Sequence, residues 1–230
     1  MINFEDLKTR SIVLIGSVLS IALVGLILFI SSGNPRWNLA WAFLGVLLLC
    51  TLAGSAVISP VLMRERMGSP WRKPGLKKWD LLILYTIQML WAAALFVAGL
   101  EMRFGWSDNV PLAIPAIASI VFLAGFSFSI WAMNSNPFFS TIVRLQGDSH
   151  TVAVSGPYCY VRHPGYVGMI IYMAAQPLML GSYLALIPTV IIVLLFILRT
   201  GLEDRTLRGE LPGYIEYAGR VTYRLLAWVW

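Results

Sequence analysis

Arg199 and Glu203 stand four residues apart where a long apolar run ends. On a helix that spacing puts both on one face. A guanidinium offers a planar fork that grips a carboxylate at two points. A carboxylate can hold the amino group of a cofactor. The same spacing also fits an ion pair at the membrane interface, with Arg199 snorkelling toward water. Upstream, Ser155-Gly-Pro-Tyr-Cys-Tyr-Val-Arg-His-Pro-Gly-Tyr-Val-Gly168 sets Arg162, His163, three tyrosines and two prolines at the mouth of another apolar run. Polar groups that close to a membrane core are costly, so they stand there for chemistry or for structure that cannot be avoided. His163 and the exposed backbone around it could hold the polar end of a cofactor. Alternatively, Pro164 simply opens a helix, where its missing N–H does no harm, with a satisfied histidine and an interfacial Tyr166.

Asn136-Pro-Phe-Phe-Ser140 ends an apolar run. Phe138 and Phe139 are either an interfacial anchor or the lining of a cofactor or lipid cavity. Cys50 and Cys159 are the only cysteines. Cys50 lies in an apolar run and Cys159 in the polar mouth, so we expect neither a disulfide nor a metal site from them. Cys159 reads as a small filler, with no obvious base beside it.

These residues form a larger pattern: Gly-Pro-Tyr-x-x-x-Arg-His-Pro-x-Tyr-x-Gly, then Arg-x-x-x-Glu-Asp-x-x-Leu, then Tyr-x-x-Tyr-x-x-Arg-Val. The pattern resembles the isoprenylcysteine carboxyl methyltransferase family, integral membrane enzymes that use S-adenosylmethionine. The resemblance covers roughly residues 134–224. It implies that Arg199 binds the substrate and that Glu203 binds the cofactor, making this pair the catalytic candidates. It links Tyr158, His163, Pro164, Gly165 and Tyr166 with S-adenosylmethionine. His150, Thr151, Val152 and Ala153 occupy the place of another cofactor-binding stretch, and Gln146 belongs with them. Phe138 and Phe139 join Arg199 as substrate-side candidates. The fold is shared with phospholipid N-methyltransferases and small-thiol methyltransferases.

The elements that must position these residues follow from composition. Of 230 residues, 58% are hydrophobic and 12% charged, against about 25% charged in a soluble domain. The expected class is an all-α integral membrane protein in one domain, residues 1–230. Residues 1–133 would be N-terminal membrane helices and 134–230 a methyltransferase-like catalytic region. A span needs about 20 apolar residues. Ser11 to Pro35, Trp37 to Met63, Leu81 to Leu100 and Val110 to Met133 each qualify. A fifth charge-free run, Gly165 to Leu198, would reach about 50 Å as one helix, too long for a core about 30 Å thick. Pro177, Gly181 and Ser182 can break it, which predicts a hairpin of Tyr166 to Leu180 and Tyr183 to Arg199. That makes about six membrane helices. The tail from Leu202 predicts short amphipathic helices broken at Pro212-Gly213, capping the cytoplasmic face, with Ala227-Trp-Val-Trp230 at the headgroups. The first apolar run reads as a retained helix rather than a removed signal peptide.

Basic residues set the expected orientation. Arg64, Arg66, Arg72, Lys73, Lys77 and Lys78 crowd one loop, and Arg144, Arg162, Arg205, Arg208, Arg220 and Arg224 follow later runs. The other side has Arg36 and Arg103. Both termini and the Arg-His-Pro region should therefore be cytoplasmic. The net charge of +6 then points to anionic lipid headgroups, not nucleic acid. No Gly-x-Gly-x-x-Gly follows a strand pattern, which excludes a soluble doubly wound methyltransferase. Neither a metal nor a catalytic base is required to methylate a carboxylate. The shortage of bases (His163, Glu203, Asp204) favours a carboxylate or a self-ionising thiol as acceptor, within a lipophilic or small molecule. An NADPH-dependent membrane reductase and a non-enzymatic membrane module are the readings from other classes.

Overall fold

The computed structural model describes residues 4–67, 73–107, 110–147 and 149–230; Arg72 of the basic loop lies outside them. The described chain is helical: α1 Phe4–Ser32, α2 Asn38–Val57, α3 Pro60–Arg66, α4 Lys78–Phe104, α5 Ala113–Asn134, α6 Pro164–Met179, α7 Leu186–Glu210 and α8 Tyr214–Arg220. Five of these, α1, α2, α4, α5 and α7, are long and apolar enough to cross a membrane. Large apolar side chains on their outer faces, such as Leu19, Leu82 and Ile120, are exposed, as lipid contact requires. The all-α, multi-pass membrane architecture stands as predicted.

Three boundaries differ from the sequence reading. The second apolar run is two helices, not one. Ser59 caps α3 by accepting from the Leu62 N–H at 3.3 Å, and Pro60 fills its first turn, where proline starts a helix and cannot continue one. The predicted sixth span, α6, has only 16 residues, about 24 Å at the α-helical rise. It is one arm of a hairpin buried among its neighbours rather than a full span. Finally, α7 does not stop at Arg199. It runs unbroken to Glu210, about 38 Å, longer than the hydrocarbon core is thick, and its last turns carry Arg199, Glu203 and Asp204. The separate amphipathic cap is therefore reduced to α8 and the turns after it.

Close backbone approach holds the hairpin. A Cβ on Gly168 would lie 2.6 Å from the Gly125 carbonyl oxygen, and one on Gly125 would lie 2.7 Å from Ile171. Small residues thus let α5 and α6 touch, the usual device where lipid supplies no hydrophobic drive between helices. At the far end, Glu101 of α4 is buried and caps the turn into α7. It accepts from the Tyr183 N–H at 3.0 Å, the Leu184 N–H at 3.1 Å and the Ser182 hydroxyl. Gly181 turns the chain there at φ +69°, as glycine alone does cheaply. Trp91 Nε1 donates to Gln176 Oε1 at 2.7 Å, tying α4 to α6 in mid-membrane.

Candidate active site

The end of the bundle where α3, α5 and α7 finish encloses a cavity of about 300 Å³. That volume lies at the lower bound for small-molecule sites. Its floor is α6 and α7, and its walls are the segments before and after residue 150.

Arg199 projects from α7 and is buried. Its Nε donates to Asp80 Oδ1 at 2.6 Å and its Nη2 to Asp80 Oδ2 at 3.2 Å and to the Thr141 carbonyl at 2.9 Å. Asp80 is fully buried in the first turn of α4 and also accepts from the Val143 N–H at 2.7 Å. Among the described residues Nη1 of Arg199 has no hydrogen-bond partner. It is not among the buried unpaired atoms, so this prong opens to the cavity that Arg199 lines. The Tyr166 ring lies under the guanidinium at 5.1 Å, and the Tyr166 hydroxyl donates to Glu203 Oε2. Arg199 and Glu203 therefore do not pair with each other among the described contacts. Tyr166 stands between them and leaves each with a separate task.

A second carboxylate organises the mouth. Asp204 is buried and gathers Arg162 Nε at 2.7 Å, Arg208 at 3.0 Å, Arg224 at 3.1 Å and the Tyr214 hydroxyl at 3.0 Å. Surrounded this way it is a structural counter-ion, not a base. Arg162 also donates to the Val221 and Thr222 carbonyls at 2.8 Å. The backbone N–H groups of Arg162 and His163 donate to Tyr223 and Arg224 carbonyls at 2.9 Å. The chain after α8 thus clamps the Arg-His-Pro turn. His163, buried, stacks parallel on Tyr166 at 5.8 Å between ring centres and meets the Tyr214 hydroxyl at 3.4 Å. Burial first, then Asp204, pushes the Tyr214 phenol far up, so it serves here as a neutral donor.

The remaining predicted residues divide in two. Phe138, Phe139, His150, Thr151, Val152, Ala153, Tyr158, Gly165, Tyr166 and Glu203 line the cavity. Gln146 and Pro164 do not. Gln146 instead supports the wall, donating from its backbone to His150 Nδ1 at 3.3 Å and from its side chain to the Phe138 carbonyl. Pro164 is the first residue of α6. His150 lies against Phe138 at 4.5 Å. Burial, and then Arg144, hold its imidazole below the usual histidine range. Tyr158 is buried, its phenol pushed up chiefly by burial. It receives a bond from Asn136 Nδ2 at 3.4 Å, while the Asn136 side chain accepts from the Phe138 N–H at 2.9 Å. Asn136 therefore orients the aromatic wall. A Cβ on Gly165 would fall 2.7 Å from the Phe139 ring, so glycine lets that ring close over the start of α6. Cys159 is exposed, its thiol donating to the Val154 carbonyl at 3.1 Å. It is not the packed filler the sequence suggested, because the turn at 156–159 points it outward.

Sequence reasoning missed Asp80 and Arg66. Both lie in the N-terminal half, far in sequence from the motifs. The available signal was a buried-helix acid, Asp80, at the start of an apolar run, which demands a cationic partner. Among the described residues no cluster of three or more His, Cys, Asp or Glu could hold a metal.

The architecture and the site define a multi-pass membrane protein with a polar, aromatic-walled cavity at one end of its helices. Residues 117–209 match the model of the isoprenylcysteine carboxyl methyltransferase family. A protein-S-isoprenylcysteine O-methyltransferase from Schizosaccharomyces pombe is 28% identical over 126 residues, covering 46% of this chain and 53% of that protein. The chain spans about half the length of this curated relative. Residues 117–209 include α6, nearly all of α7, and Tyr158, His163, Tyr166, Arg199 and Glu203.

Proposed function

We propose that this chain methylates the carboxylate of a lipophilic acceptor, an isoprenylcysteine-type group, using S-adenosylmethionine at the cytoplasmic membrane surface. The observation that carries this reading is the adjacency of two spaces. The polar cavity shares Gln88, Tyr172 and Met173 with an apolar chamber of about 610 Å³. Val24, Leu47 and Phe126 are among the residues that line the chamber, which lies between α1, α2, α4, α5 and α6. A lipid tail suits the chamber, and a polar head then reaches Arg199.

The donor set fits the cofactor. Glu203 offers a carboxylate for its amino group and Phe138, Tyr158 and Tyr166 offer aromatic faces for its sulfonium and adenine. The backbone groups of Thr151, Val152 and Ala153 make no hydrogen bond with another described residue and offer polar edges. Bound there, S-adenosylmethionine would supply an activated methyl group. Arg199 keeps Nη1 for the acceptor while Asp80 fixes the rest of its fork, which aligns the carboxylate oxygen for attack. Tyr166 separates the acceptor-binding guanidinium from the cofactor-binding Glu203. Phe139 and the α6 start exclude water. An ionised carboxylate is already nucleophilic, so no residue must remove a proton. The acting residues lie within 134–230, and α3 and α4 complete their surroundings. Orientation rests on charge. Lys77 pairs with Glu210 at 2.5 Å and Arg144 with Glu65 at 2.9 Å, so the basic loop shares the cavity's end of the molecule. The positive-inside rule puts that end in the cytoplasm.

The test uses purified protein in lipid nanodiscs with labelled S-adenosylmethionine, an N-acetylated prenylcysteine, and a phospholipid extract. A base-labile methyl ester on the prenylcysteine supports the proposal. Label only in phospholipid headgroups or in a thiol would move the chain to the related methyltransferases. Absence of transfer, together with no heat on titrating S-adenosylhomocysteine, would sink it.

A further inference from the structure

Among the described residues two buried side-chain atoms lack any hydrogen-bond partner, Arg66 Nη1 and Arg144 Nε. Arg144 is otherwise satisfied, since its Nη2 meets both oxygens of Glu65 at 2.9 Å. Among the described residues Arg66 has no such anion. Its neighbour Glu65 is turned away and taken by Arg144, Lys73 and Ser140. The Arg66 guanidinium lies over the Phe139 ring at 5.5 Å and lines the same cavity as Arg199. Burial, and also the charge of Arg199, disfavour its charged form. A guanidinium nitrogen left buried and unpaired is costly unless an acceptor arrives. Arg199 has its counter-ion in Asp80; Arg66 has none among the described residues and lies beside an aromatic wall.

We propose that Arg66 is a second carboxylate anchor, which with Arg199 Nη1 binds the ionised acid of the acceptor and discriminates it from the methyl ester. The proposal rests on the methyltransferase reading above. In the transfer, a carboxylate oxygen forms the new O–CH₃ bond as the S–CH₃ bond of the sulfonium breaks. The sulfonium becomes a neutral thioether and the carboxylate a neutral ester, with no proton moved. Methylation therefore removes the charge that Arg66 grips, leaving it unpaired again and favouring release of the ester. This gives α3, outside the matched family region, a role in substrate choice.

The cofactor's own amino-acid carboxylate has the same chemistry, so the experiment separates the two. Arg66→Gln and Arg66→Lys are compared with the unaltered protein in nanodiscs. Calorimetry measures S-adenosylhomocysteine, and competition measures an N-acetylated prenylcysteine acid and its methyl ester. We expect Arg66→Gln to weaken the acid about tenfold or more, as loss of a charged hydrogen bond does, with the ester and S-adenosylhomocysteine unchanged. Arg66→Lys should recover part of the loss, since it restores charge without the fork. Unchanged cofactor binding certifies the fold; if Arg66→Gln does not fold, Arg66→Lys must still show an intermediate loss confined to the acid. Equal acid affinity in all three proteins overturns the proposal. So does a loss confined to S-adenosylhomocysteine, which would assign Arg66 to the cofactor. If the unaltered protein binds neither ligand, the methyltransferase reading fails first and this inference with it.

Discussion

The guanidinium of Arg199 closes on the carboxylate of Asp80 at 2.6 Å across 119 residues of sequence, joining α7 to the first turn of α4. The pair leaves one nitrogen of Arg199 facing the cavity and holds the others still. Removing one partner of a buried pair strands the other, at about 3–5 kcal/mol. Asp80→Ala should therefore lower the melting temperature sharply. Asp80→Asn keeps the shape and should lower turnover more than it lowers cofactor affinity. Equal turnover in Asp80→Asn and the unaltered protein would remove Asp80 from the positioning of Arg199.

Arg199 and Glu203 should fail differently, because Tyr166 stands between them. Glu203→Gln should weaken S-adenosylhomocysteine in calorimetry. Arg199→Lys should leave that affinity nearly intact and cut turnover at least ~10-fold, about 1.4 kcal/mol. If the two residues were only an interfacial pair worth roughly 0–1 kcal/mol, both variants would turn over normally with a small loss of melting temperature.

The contact of α5 with α6 should tolerate no added carbon. Gly168→Ala places a methyl against the Gly125 carbonyl and Ser129, and overpacking of that kind costs about 1–3 kcal/mol. Thermal unfolding in nanodiscs checks it; an unchanged midpoint would mean that the helices separate freely.

Acid should weaken the fold through His150. Its folded-state pKa is depressed from 6.5, by burial first and Arg144 next. The unfolded chain therefore takes up the proton first. This contribution to stability is fully present above about pH 6.5 and is lost as pH falls toward and through the lowered folded value. The melting temperature of the ligand-free protein should decline below about pH 6.5, and the decline should be shallower in His150→Gln. Parallel profiles would exclude His150 as a contributor.

Topology is open to direct labelling. Cysteines introduced at Lys77 and in the C-terminal segment should react only from the cytoplasmic side. Labelling of the 64–78 loop from outside would place the cavity on the opposite face.

The sequence by itself determined the class of this protein and part of its cavity wall. Charge-free runs of about 20 residues have one stable outcome in lipid, a helix that satisfies its own backbone. Gly181 marked the hairpin turn for the same local reason, while Pro177 lies inside the last turn of α6. The motif residues Tyr158, Tyr166, Arg199 and Glu203 were legible through the family pattern they resemble; spacing alone left an interfacial pair equally open. The helix that continues through Arg199 to Glu210 was less legible, since charges there resemble a loop while the backbone only needs headgroup depth. Partner choice was not legible at all. Whether Arg199 meets Glu203 four residues on or Asp80 on another helix depends on which carboxylate the packed bundle buries beside it. Likewise, among the described residues Arg66 has no ion pair because Glu65 is drawn to Arg144 and Lys73. Such pairings are decided by long-range packing, where burial makes one geometry far cheaper than its rivals, and local spacing carries no record of it.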